Sequence, residues 1–148
     1  PTKYYQLGLA AIAIISLAII LTNPLLLKNN VEKDSQFADL CTWAQRHTTT
    51  EAVFLLEPNQ EASLFRVLCH RNVFVTHKDG GQVVFSRDFA LEWKRRMALA
   101  ENIGALTLSD GEELKKKEGI DYIITSKKLP LDKEVYRNEK YNVYQVKT

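Results

Sequence analysis

Ala52-Val53-Phe54-Leu55-Leu56, stopped by Glu57-Pro58, is the stretch that decides the fold. It is continuously apolar, without alternation, and too short for a helix of its own. Such a run predicts a strand buried on both faces. Upstream, Ser35 is a favourable N-cap, and Phe37, Leu40, Cys41 and Ala44 recur at helical spacing, which predicts an amphipathic helix over 36–47. Downstream, Asn59 caps a short helix through Leu64, Phe65 and Leu68, and Val73–Thr76 reads as a second strand ended by the turn Lys78-Asp79-Gly80-Gly81. Ser86 opens a helix whose stripe is Phe89, Trp93, Met97 and Ala100. Ser109-x-x-Glu112 is a capping box for a helix that runs to Lys117 and ends at Gly119. Ile120–Thr125 is a third strand, and Glu134–Arg137 with Tyr141–Val146 form a hairpin around Asn138-Glu139-Lys140. Strands alternating with helices predict a small three-layer α/β domain over 35–148, with a mostly parallel sheet and a C-terminal hairpin. Residues 29–34 read as a polar linker.

Before that linker lies a different kind of sequence. The 24 residues between Lys3 and Lys28 carry no charge, and 16 of the 21 from Leu7 to Leu27 are Ala, Ile or Leu. As a helix, 21 residues extend about 31 Å at roughly 1.5 Å each, the thickness of a bilayer's hydrocarbon core. Tyr4 and Tyr5 sit where an interfacial belt falls, and both lysines can snorkel. A signal peptide has a shorter apolar core and a small-residue cleavage site, which Thr22-Asn23-Pro24 is not. A core helix keeps a polar face. The expectation is a transmembrane helix over 1–28, with the lipid bilayer as partner of residues 4–27. The chain begins with Pro rather than Met, so this helix is expected to be the last span of a longer protein. A single-pass anchor is the alternative, and one lysine at each end leaves the orientation open.

Composition narrows the function classes. Of 148 residues, 45% are hydrophobic and 26% charged, ordinary for a folded domain. Six Gly and four Pro exclude a collagen-like or linker chain, and two Cys exclude a disulfide-built scaffold. Whether Cys41 and Cys69 pair with each other stays open. Past Lys28 there are 18 basic and 18 acidic residues, so the pI near 8.6 comes from the flanks of the apolar run. No nucleic-acid partner is expected. His47, His70 and His77, with Cys41 and Cys69, lack the tight spacing of a zinc site, and no metal is expected. Cys69 and His70 are neighbours whose side chains diverge. Gly80-Gly81 lacks the remainder of a phosphate-loop motif, and no pair of carboxylates is spaced for acid/base work. Neither a catalytic residue nor a cofactor is expected.

One segment departs from charge balance. Ala62–Met97 holds seven basic residues against three acidic ones. Arg66 and Arg71 precede the second strand, Lys78 follows it, and Glu92, Arg95 and Arg96 lie on the next helix. Ligands of open α/β sheets bind at carboxyl ends of strands, and Arg and Lys placed there hold phosphate groups. Arg66, Arg71, Lys78, Glu92 and Arg96 are therefore candidate anion-binding residues. A structural reading stands beside this: Glu92 and Arg96 form an i, i+4 pair, Trp93 belongs to the core stripe, and Arg71 pairs with Asp88 or Glu92.

Several motifs carry a resemblance. They are Asp39-Leu-Cys-Thr-Trp43-Ala-Gln-Arg-His-Thr48 followed by Ala52–Leu56, then Phe65-Arg66-x4-Arg71-x-Val73-x-Val75-x-x-Lys78 with Glu92-Trp93-x-x-Arg96, then Tyr122-Ile-Ile124 and Tyr141-x-Val143-Tyr144. Together with the preceding apolar run, this pattern resembles an uncharacterised C-terminal extramembrane domain of bacterial multi-pass membrane proteins similar to GT-C type glycosyltransferases, which use polyprenyl-phosphate sugars. The resemblance implies a membrane-tethered, extracytoplasmic accessory domain that touches a lipid-linked phosphate or glycan. It also implies that this stretch is non-catalytic, because the catalytic acid of such enzymes lies on a loop among the first spans. The rival readings are a single-pass anchored binding module, and a small tethered enzyme that grips a phosphorylated substrate with Arg66, Arg71, Lys78 and Arg96.

Overall fold

The computed structural model describes Ile12, residues 24–131 and residues 133–146. The chain divides into two units, 1–35 and 36–148. The transmembrane helix expected over 1–28 lies outside the described residues, apart from Ile12 and the segment from Pro24 on. No helix among the described residues is long and apolar enough to cross a membrane. Helix α1 spans Pro24–His47, so the expected linker over 29–34 is helical and the helix predicted for 36–47 starts earlier. The polar residues 29–34 include neither Gly nor Pro, and nothing in them stops a helix.

From Gln36 on, the chain builds a sheet covered on both faces. Strand β1 (Val53–Leu56) is followed by helix α2 (Gln60–Leu68), strand β2 (Asn72–Val73), a 3₁₀ turn (His77–Gln82) and helix α3 (Arg87–Glu101). A second 3₁₀ turn (Ile103–Ala105), helix α4 (Leu108–Glu113) and a π-helical turn (Leu114–Glu118) lead into β3 (Tyr122–Thr125), β4 (Glu134–Arg137) and β5 (Asn142–Gln145). The strand order is β2-β1-β3-β5-β4. β1 pairs parallel with β2 and β3, whereas β5 pairs antiparallel with β3 and β4. The sheet is therefore mixed rather than mostly parallel. The C-terminal hairpin does not stay at the edge on its own: β5 docks directly against β3.

The run Phe54-Leu55-Leu56 is buried on both faces, as its composition requires. Leu55, Ile123 and Tyr144 sit in register across three strands and enter one core with Met97, Ala100, Ile103 and Leu114. Leu56, Ile124 and Val143 enter the other with Leu40 and Ala44 of α1 and Ala62 and Phe65 of α2. α1 and α2 thus cover one face, and α3 and the α4 segment the other. Asn59 Oδ1 accepts the Ala62 N–H at 3.2 Å and Ser86 Oγ accepts the Phe89 N–H at 3.3 Å, both at the predicted N-caps. The cap of α4 lies two residues before the predicted one: Asp110 accepts the Thr107 N–H at 2.7 Å. Gly119 takes a left-handed φ of 69°, as a helix-terminating glycine does.

Cys41 of α1 and Cys69, just after α2, form a disulfide with Cα atoms 4.5 Å apart, which answers the pairing the spacing left open. It closes a loop with a sequence separation of 28. By the chain-entropy argument such a loop is worth about 3–4 kcal/mol. Replacing both cysteines by Ser is expected to lower the unfolding free energy by that order in urea titrations, and a reductant should do the same to the parent chain and nothing to the variant.

Candidate functional site

Beside the edge strand β2 is a cleft of about 330 Å³. Arg66 of α2 forms one side, Val73-Phe74-Val75 the floor, Asp79 and Gln82 of the 3₁₀ turn a second side, and Phe89, Glu92, Trp93 and Arg96 of α3 the third. Helical spacing explains the last group, because residues 89, 92, 93 and 96 share one face. The turn is held close to α3 by a glycine: a Cβ on Gly80 would stand 2.7 Å from Cζ2 of Trp93. The Trp93 indole N–H donates to the Thr76 carbonyl at 3.1 Å.

The charged groups of the cleft are mostly matched to one another. Arg66 donates from both terminal nitrogens to Asp79, at 2.6 and 3.0 Å, and also to the Val73 carbonyl at 3.0 Å. Burial alone would raise the Asp79 carboxyl, but the Arg66 guanidinium and the Thr76 N–H hold it below the usual aspartate range. Asp79 in turn raises Arg66. Glu92 accepts from Nε of Arg95 at 2.8 Å and from Nε of Arg96 at 2.7 Å, and the two guanidinium groups pull its carboxyl down to about 2. Arg95 also bridges to Glu118 and leaves the cleft. The Arg96 guanidinium lies over the Phe74 ring, 5.0 Å from its centroid, a cation–π contact. Its terminal nitrogens have no hydrogen-bond partner among the described residues. They are unpaired charged donors on a residue that lines the cleft.

Of the five residues predicted to bind an anion, Arg66, Glu92 and Arg96 line this cleft, and Arg71 and Lys78 do not. Arg71 is buried and pairs with neither Asp88 nor Glu92. It donates to Thr48 Oγ1 at 2.9 Å and to the carbonyls of His70, Gln45 and Thr48 at 2.8, 3.0 and 3.0 Å, closing the C-terminus of α1. Lys78 is exposed on the 3₁₀ turn, away from the lining. The four-cation grip of the tethered-enzyme reading is thus not assembled. Asp79 and Gln82 are the polar lining residues that sequence reading missed, and Phe89 and Trp93, expected in the core stripe, line the cleft as well. The Lys78-Asp79-Gly80-Gly81 turn signalled a bend there, but a partner 13 positions from Arg66 leaves no local trace.

Residues 35–100 match the model of a family described as a domain of unknown function (DUF6798). This stretch runs from Ser35 in α1 into α3 and contains every residue that lines the cleft. No curated protein and no solved structure matches the chain. An uncharacterised domain family is therefore what residues 35–100 are similar to.

Two predictions follow from the packing around the turn. Gly80→Ala should cost about 1–3 kcal/mol, as overpacked substitutions do, and should shift Trp93 fluorescence; chemical denaturation monitored at Trp reads both. Asp79 is depressed in the folded state, so its contribution is full above its ordinary value of about 3.9 and disappears as pH falls through the lower folded value. Both partners are partly exposed, so the amount is about 1 kcal/mol or less. Asp79→Asn should flatten that part of the acid limb of a stability-against-pH curve and leave the neutral limb's slope unchanged.

Proposed function

We propose that this chain is a membrane-tethered, non-catalytic accessory domain, anchored through residues 4–27, of a larger multi-pass membrane protein of the GT-C glycosyltransferase-like type. The observation that carries the reading is the uncharged run between Lys3 and Lys28, immediately ahead of an independently cored α/β unit. The family match over 35–100 is to a domain of unknown function, which agrees with an uncharacterised domain in this position. The multi-pass, glycosyltransferase-like parent rests on the sequence resemblance. The Cys41–Cys69 disulfide supports an oxidising, extracytoplasmic compartment for the folded unit, because reducing compartments keep such pairs open. Within this reading the cleft takes a single anionic group, such as a phosphate, on the terminal nitrogens of Arg96.

The tether is tested on the full chain. It should stay in the membrane pellet through alkaline carbonate and leave only with detergent. Ile15→Lys together with Ile19→Lys should release it, since each central charge costs about 2.5–3.5 kcal/mol of insertion. Release of the parent chain by carbonate would overturn the tether. Counting hydrophobic spans encoded upstream of Pro1 separates a multi-pass tail from a single-pass anchor.

A further inference from the structure

Six large hydrophobic residues are exposed among the described residues of the folded unit, and all six fall between Leu64 and Leu91. Leu64, Val67 and Leu68 form a stripe on α2 at i, i+3 and i+4 spacing, and Leu91 lies on α3. Val84 and Phe85 are the most exposed, at 78% and 85%, on the bend between the 3₁₀ turn and α3. A phenyl ring and an isopropyl group held in water at the tip of a bend serve no core. The elements that carry these six residues flank one edge of the sheet, the β2 edge.

The same edge is cationic after internal pairing is subtracted. Arg66 is paired with Asp79, Arg95 with Glu92 and Glu118, and Arg96 with Glu92 through its Nε alone. Arg71 is consumed by carbonyls. Lys78, Arg87 and Lys94 keep no acidic partner among the described residues, against Asp88 as the one acid of this segment in the same state. Exposed apolar side chains flanked by free cations match an interfacial lipid layer: the apolar groups enter the headgroup boundary and the cations stay with anionic headgroups.

From this coincidence we infer that the Val84–Phe85 tip, flanked by Lys78 and Arg87, is a second membrane contact, in which the folded unit lies on an anionic bilayer surface. The tip dips about 5–10 Å into the interface, the depth typical of peripheral apolar groups. The contact goes beyond the tether, since it orients the unit rather than merely holding it near the membrane.

The test uses the full chain carrying Phe85→Trp in phosphatidylcholine vesicles with or without an anionic phospholipid, and the parent chain supplies the Trp43 and Trp93 background. With anionic lipid, the added emission should be quenched by nitroxides near the headgroups and spared by nitroxides at the bilayer centre. The quenching should fade as salt is raised. Adding Val84→Asp should abolish the quenching and leave the thermal unfolding midpoint in place, because Val84 is 78% exposed and belongs to neither core. Quenching in anionic vesicles no greater than in the parent would overturn the inference. Blue-shifted emission that ignores the nitroxides would also overturn it, because the tip would then be buried in protein, its own or a second copy's. Alkaline extraction of the same vesicles separates the two ideas. A chain that is washed off at high pH but quenched at neutral pH keeps the tip contact and defeats the tether. A chain that is retained but unquenched does the reverse.

Discussion

Every layer of the folded unit answers to one strand that has no wet face. Phe54 and Leu56 point into one core and Leu55 into the other, and all three are nearly inaccessible to water. A strand buried on both sides forces helices onto both sides of the sheet. It also forces its neighbours to match it, and Ile123-Ile124 and Val143-Tyr144 repeat the same division of labour in register. Each removed apolar side chain contributes on the order of 1.5–3 kcal/mol. No surface arrangement of this chain could recover that amount with β1 exposed.

The edge strand β2 shows what the sheet does where that driving force ends. Only two of its residues pair with β1. The chain beyond them stays buried through Thr76, and side chains supply the partners that a sixth strand would have supplied. Arg66 donates to the Val73 carbonyl, Trp93 donates to the Thr76 carbonyl, and Asp79 accepts the Thr76 N–H at 2.8 Å. An exposed edge invites pairing with other chains, and a ring of side chains is one way to blunt it. The cleft is the space left between those side chains. Most of its charge therefore serves the edge, and the terminal nitrogens of Arg96 are what stays unpaired among the described residues.

Local signals explain what could be read in advance. The strands at 53–56 and 122–125, the hairpin, the caps at Asn59 and Ser86 and the terminating Gly119 all rest on neighbours in sequence. The sheet's mixed character rests on β5 lying next to β3, a pairing between non-consecutive strands that periodicity does not encode. The α4 cap was misplaced because Thr107-x-x-Asp110 and Ser109-x-x-Glu112 have the same spacing, and the chain uses the first. Arg71 was misread for a different reason. A basic residue in this segment points to acidic partners, whereas the C-terminus of α1 offers carbonyls to the buried Arg71, and they suit a guanidinium as well.

Arg71 and Cys69 bear on the same mechanical point. Cys69 binds α1 covalently through Cys41, and two residues later Arg71 gathers the last carbonyls of α1. Both ties meet α1 at the short connection between α2 and β2. Arg66 is one turn of α2 upstream of that connection, and the floor of the cleft begins two residues downstream of it, at Val73. A displacement of α1 relative to the sheet would therefore reach the cleft through a covalent bond and a buried guanidinium rather than through loose surface contacts. The core that α1 shares with α2 on one face of β1 resists such a displacement. At the β2 edge the backbone past Val73 is held by side chains rather than by a further strand.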